Sequence, residues 1–95
     1  MHPYELMFII HPGTEVEAQD TLVERVKALI EQGEGRITEV KKWGKRTLAY
    51  EIRDQKEGFY VLVNYESVPA VCDELDRVLK ITEAVIRFMI VRTDD

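Results

Sequence analysis

The chain has 95 residues, 45% of them hydrophobic and 33% charged, with a formal net charge of −5, a composition that excludes a disordered tail or a fibre and predicts one domain over residues 1–95 burying roughly 60–65% of its unfolded surface. No run approaches the ~18 apolar residues of a membrane helix and MHPYELMF lacks a signal-peptide pattern, so a cytoplasmic protein with no membrane role is expected. One cysteine and two separated histidines offer neither an internal disulfide nor a ligand cluster, so no metal or other cofactor is expected.

Tyr4, Leu6, Phe8 and Ile10 alternate with Glu5, Met7 and Ile9, a period-two pattern that predicts a strand whose second face is partly apolar. His11-Pro12-Gly13 ends it, and Thr14-x-x-Glu17 fits a capping box, in which two side chains satisfy backbone N–H groups at a helix start for ~1 kcal/mol. Val16, Leu22, Val23, Val26, Leu29 and Ile30 then recur at helical spacing, with acidic residues mostly opposite, and Gly33 or Gly35 closes the helix. Arg36 to Arg53 is β-like but far longer than the usual ~5–6 residues, so Gly44 is expected to mark a bulge or bend. Asp54 to Gly58 reads as a turn, and Phe59 to Glu66 as a strand pairing antiparallel with the one before. Ser67 and Pro69 supply helix-start chemistry for a stripe of Val71, Cys72, Leu75, Val78 and Leu79, with Cys72 read as a small buried hydrophobe, and Val85 to Val91 is the last strand.

Strand, helix, strand, strand, helix, strand, with right-handed crossovers and both amphipathic helices on one face, gives an α+β fold, the ferredoxin-like βαββαβ sandwich. Its four-stranded antiparallel sheet then keeps one face uncovered. Parity puts Glu5, Met7, Ile9, Tyr60, Leu62, Asn64, Arg87, Met89 and Val91 on that open face or its rim, and turns Ile86, Phe88 and Ile90 inward. Met7, Ile9, Leu62, Met89 and Val91, with Tyr60 beside them, would form an apolar patch of the kind that marks a partner surface.

The architecture serves many functions, so side chains must discriminate. A lone cysteine in a helix cannot serve a copper chaperone. HPGTE has one glycine and no neighbouring base with which to cradle a phosphate. EGFYVLVNY resembles an RNA-recognition strand only in being aromatic and β-like. The carboxylates of EVEAQD and DELD fall on solvated helix faces, no nucleophile–base pair stands out, and Phe8, Tyr50, Phe59 and Tyr65 are read as core, so no enzyme and no small-molecule substrate are expected.

Charge is unevenly spread. Residues 1–35 hold seven acids and two bases, whereas residues 36–92 hold nine acids and eleven bases. Lys41, Lys42, Lys45 and Arg46 crowd around Trp43, which is either a solvated strand with the indole over lysine stems or a phosphate-binding edge with a stacking platform. Lys80, Arg87 and Arg92 could supply a further basic area.

YELMFIIHP, WGKRTLAYEI, EGFYVLVNYE and ELDRVLKITEAVIRFMIVR, in this order over nearly the whole chain, resemble the bacterial small-subunit ribosomal protein S-six family. The most specific pieces are Trp43-Gly44-Lys45-Arg46 running into Leu48-Ala49-Tyr50, and Leu79-Lys80-Ile81 followed by Val85-Ile86-Arg87. The resemblance implies the same sandwich, no catalysis, and assembly onto the central domain of small-subunit rRNA as a heterodimer with ribosomal protein S-eighteen. It carries Lys80, Arg87 and Arg92 over as phosphate contacts and Tyr4 and Trp43 as packing or stacking elements, with Lys41, Lys42, Lys45 and Arg46 meeting RNA or a partner on RNA. His2 and Thr47 stand where bases are common in the family, Glu51 where proline is common, and the chain stops at Asp94-Asp95 without a longer acidic tail, so weak RNA affinity of the protein alone is expected. The competing expectation is a regulatory or scaffold domain that self-associates through its sheet.

Overall fold

In the computed structural model, which describes residues 1–94, β1 (His2–Ile10), α1 (Val16–Gln32), β2 (Arg36–Ile52), β3 (Gln55–Ser67), α2 (Pro69–Lys80) and β4 (Val85–Arg92) follow in that order. The strands form one antiparallel sheet in the order β2-β3-β1-β4. The expected ferredoxin-like α+β sandwich is the fold found.

Alternation along the two central strands decides where the core sits. Leu6, Phe8 and Ile10 of β1 pair with Val63, Val61 and Phe59 of β3, and residues directly opposite in a ladder share a face. With Leu22, Val23, Val26 and Ile30 of α1 and Val71, Leu75 and Leu79 of α2 they make one continuous core, each large aliphatic or aromatic side chain contributing roughly 1.5–3 kcal/mol on burial. The other face carries the cross-strand rows Lys41–Leu62–Met7–Met89 and Gly44–Tyr60–Ile9–Arg87. β2 and β4 are the edges. No described helix is long and apolar enough to cross a membrane.

The departures from expectation are local. Helix α1 begins one turn position later than the capping box requires: Glu15 is the N-cap with no side-chain cap bond, Val16 is exposed, and the Thr14 carbonyl instead accepts from Gln19 Nε2 at 2.8 Å. Pro69 does open α2, yet the N-cap is Val68, while Ser67 is buried and donates to the Val68 carbonyl at 3.0 Å. The hairpin turns at Arg53-Asp54, not at Asp54 to Gly58: both residues have positive φ, 50° and 63°, and Ile52 pairs with Gln55. That is the two-residue turn whose twist matches the flanking strands.

Bulges rewrite the open face. Gly44, at φ +78°, sits where the β2–β3 register slips, as expected. A second slip lies between Ile9 and Ile10, which pair with Arg87 and Val85 respectively, so Ile86 is the extra residue of β4. Its side chain is turned out to the open face beside Ile9 and Leu48, not inward, whereas Phe88 and Ile90 do pack against the main core. The largest irregularity is in β2, where four residues, Leu48 to Glu51, oppose only Lys56 between the Thr47–Glu57 and Ile52–Gln55 pairs. This segment arches over the sheet and lays Leu48, 7% exposed, onto Ile9 and Ile86.

Candidate nucleic-acid interface

The basic segment of β2 is not one patch. Lys42 and Lys45 oppose Val61 and Phe59 on the helix side of the sheet, whereas Lys41 and Arg46 oppose Leu62 and Gly58 on the open side. Lys42 Nζ reaches Asp20 of α1 at 2.9 Å, Lys41 Nζ reaches Glu39 at 3.1 Å, and Lys45 Nζ stands 5.5 Å over the Phe59 ring. Trp43 lies under the Arg46 guanidinium, whose Cζ is 5.5 Å from the indole centroid. Mutual repulsion among these bases is thus relieved by separate local partners, and all four remain exposed.

The bases at the other edge are differently placed. β4 is outermost next to β1, which leaves one side of its backbone unpaired. Arg87, opposite Ile9, projects to the open side, and Arg92, opposite Tyr4, to the helix side. Lys80, on the last turn of α2, is exposed and bridged to Asp76 at 2.8 Å. The three share the β4 edge but not a face. Arg87 is set by the arch of β2, since its Nη1 donates to the Tyr50 hydroxyl at 2.5 Å. Tyr50, read from sequence as core, is 63% exposed and carries that hydroxyl at the rim. Arg92 grips Asp94 with Nε and Nη2 at 2.5 and 3.0 Å, and this paired hydrogen bond holds the Asp94 carboxyl below its ordinary range.

Sequence reasoning missed Arg53. Its Nη1 donates to the Val85 carbonyl at 3.4 Å, which brings it to a shallow cleft of about 260 Å³ whose rim also holds Lys80 and Arg87. Nothing in local spacing signals this, because 27 and 34 positions separate it from the other two.

Tyr4 is a packing element: it stacks on the buried Tyr65 at 5.5 Å and 28°, with His2 against its edge at 6.4 Å. Burial raises the Tyr65 phenol far above its usual range, as does its 3.0 Å hydrogen bond with Cys72 Sγ. Cys72 is therefore half-buried and hydrogen-bonded, not simply a small hydrophobe. On the expected apolar patch, Met7, Tyr60 and Leu62 are half-buried, Met89 and Val91 are exposed at 46% and 40%, and Ile9 is buried at 2%. Ile9 is removed from the surface by Leu48 and Ile86, so the free apolar area lies nearer the Met89–Val91 end.

Fold and site together define a ferredoxin-like sandwich whose distinguishing surface is a basic sheet edge rather than a reactive pocket. The chain belongs to the ribosomal protein S-six family: the family model described as Ribosomal protein S6 matches residues 3–92. It is 46% identical over its whole length to the small ribosomal subunit protein bS6 of Moorella thermoacetica, covering 97% of that protein, and 47% identical end to end to that of Caldanaerobacter subterraneus subsp. tengcongensis. The crystal structure of 30S ribosomal protein S6 from Thermotoga maritima superposes with a TM-score of 0.91 at 37% identity over 96% of this chain and 86% of that one. The C-terminal domain of MgtC from Mycobacterium tuberculosis shares the fold alone, with a TM-score of 0.68 at 12% identity over 97% of this chain and 87% of that one. This is a small-subunit ribosomal protein family of structural rather than enzymatic character.

Proposed function

We propose that the protein acts as a single domain that helps assemble the small ribosomal subunit in the cytoplasm, binding the central domain of its rRNA together with ribosomal protein S-eighteen. The observation that carries the reading is the β4 edge, where Arg87, Arg92 and the adjacent Lys80 flank an edge strand whose outer side is unpaired and would straddle a phosphate backbone from both sides. Phosphate contacts of this kind fix register without reading sequence. The exposed Met89 and Val91 and the half-buried Met7 and Leu62 beside them suit an apolar protein contact, which an obligate partner would cover. Lys41, Lys42, Lys45 and Arg46 lie at the opposite edge and would meet RNA or the partner there, Trp43 offering its ring under Arg46.

Because Lys80 and Arg92 already hold Asp76 and Asp94, part of their charge is offset before RNA arrives, and the protein alone should bind weakly. Binding to a fragment of the rRNA central domain, measured over a salt series with and without S-eighteen, tests this. Partner-dependent affinity that falls with salt is expected, with a slope of about 0.7–0.9 per phosphate neutralised. A homodimer that binds no RNA under either condition would overturn the reading in favour of a self-associating scaffold.

A further inference from the structure

We propose that Arg53, Lys80 and Arg87 form a single phosphodiester seat, in which the hairpin turn between β2 and β3 contributes the third base; this rests on the RNA-binding reading above. Arg53, Lys80 and Arg87 line one cleft of about 260 Å³ together with Leu79, Val85, Ile86 and Phe88. Three bases on one cleft suit an anion, since partial exclusion of water there weakens the screening of their charges.

Both guanidiniums are already steered. Arg53 spends one donor on the Val85 carbonyl and Arg87 one on the Tyr50 hydroxyl, so each keeps four of its five N–H groups for a ligand. Pre-ordering of this kind lowers the entropy lost when an anion arrives. At the C-terminus of α2 the Val78 carbonyl accepts from Ile81 N and Thr82 Oγ1, and the Leu79 carbonyl from Thr82 N, so these two carbonyls are hydrogen-bonded within the chain. The competing carboxylate is Asp76, in an exposed pair with Lys80, of the type that yields readily. A strand phosphodiester, not a free phosphate, is the chosen ligand because the cleft lies along the same β4 edge that carries Arg92.

Arg53→Asn separates charge from structure. At φ +50° asparagine is favoured in the first position of this turn, so a purely structural role for Arg53 predicts a thermal midpoint at or above the parent's and unchanged RNA binding. The seat predicts that same midpoint with binding to the central-domain fragment, S-eighteen present, about tenfold weaker and a salt slope smaller by about 1. Arg53→Lys should recover most of the slope. With Arg87→Gln as a second site, a shared phosphate makes the double variant lose less than the product of the two single losses.

Unchanged affinity and slope in Arg53→Asn, against a parent that binds, would overturn the seat while leaving the RNA reading intact. A parent that fails to bind would remove both. Inorganic phosphate at matched ionic strength separates the ligand sources: competition no stronger than chloride is expected, and displacement of RNA at sub-millimolar phosphate would overturn the assignment to a strand.

Discussion

At the scale of single residues, the informative side chains are those whose neighbours come from distant parts of the chain. Tyr65 is 1% exposed and its hydroxyl is satisfied by Cys72 across seven positions. Replacing Cys72 by alanine removes that partner and leaves a buried hydroxyl, so Cys72→Ala should lower stability in urea by about 1–3 kcal/mol. A midpoint and slope equal to the parent's would show that water or another group takes the bond. The helical periodicity correctly turned Cys72 inward, but it does not register hydrogen bonds, so the thiol reads as packing alone. Tyr50 and Arg53 show the same limit in the opposite direction. An aromatic in a β-like run reads as core, and an arginine at the end of that run carries no signal of its own. Only the fold brings the first to Arg87 and the second to Val85.

At the scale of elements, type and order were legible because both helices carry apolar stripes and the central strands alternate cleanly. Register was not, since one extra residue reverses every side chain beyond it. Four slips occur here, one between β1 and β4 and three between β2 and β3; apart from the glycine at 44, what accommodates them is visible only in the folded sheet. Gly58 is the clearest: a Cβ there would come within 2.3 Å of Ile9 Cγ2 and 3.2 Å of the Ile10 carbonyl, because Ile9 folds down across it under Leu48 and Ile86. Sequence places Gly58 at the end of a turn, where glycine suits the backbone. Its buried position, paired with Arg46 in the ladder, makes it instead a site of close approach. Gly58→Ala should therefore cost about 1–3 kcal/mol by overpacking. Thermal unfolding checks it, and a neutral substitution would mean that the Ile9–Leu48–Ile86 cluster repacks freely, so that the arch of β2 does not fix the position of Tyr50 or Arg87.

At the scale of the molecule, an acidic chain places seven of its thirteen bases on the two edge strands of its sheet, while seven of its eighteen acidic residues lie on the helices. The crowded basic run of β2 attracts notice in the sequence, yet the fold divides it between two faces and supplies Asp20, Glu39 and Phe59 as local partners. The sparser bases near the C-terminus, separated in sequence, converge on β4 and carry the proposal more directly. Net charge thus says little about a polyanion partner when placement differs from composition. The measurement that tests the central claim most directly is the affinity of the Lys80→Glu, Arg87→Glu double variant for the central-domain RNA with S-eighteen present, alongside its thermal unfolding. Both side chains are exposed, so stability should stay within about 1 kcal/mol of the parent while RNA binding falls by more than about tenfold and its salt slope by about 1, for the phosphate the two share. Binding retained at the parent's affinity and slope, in a protein equally stable, would contradict the β4 edge as the site that meets RNA.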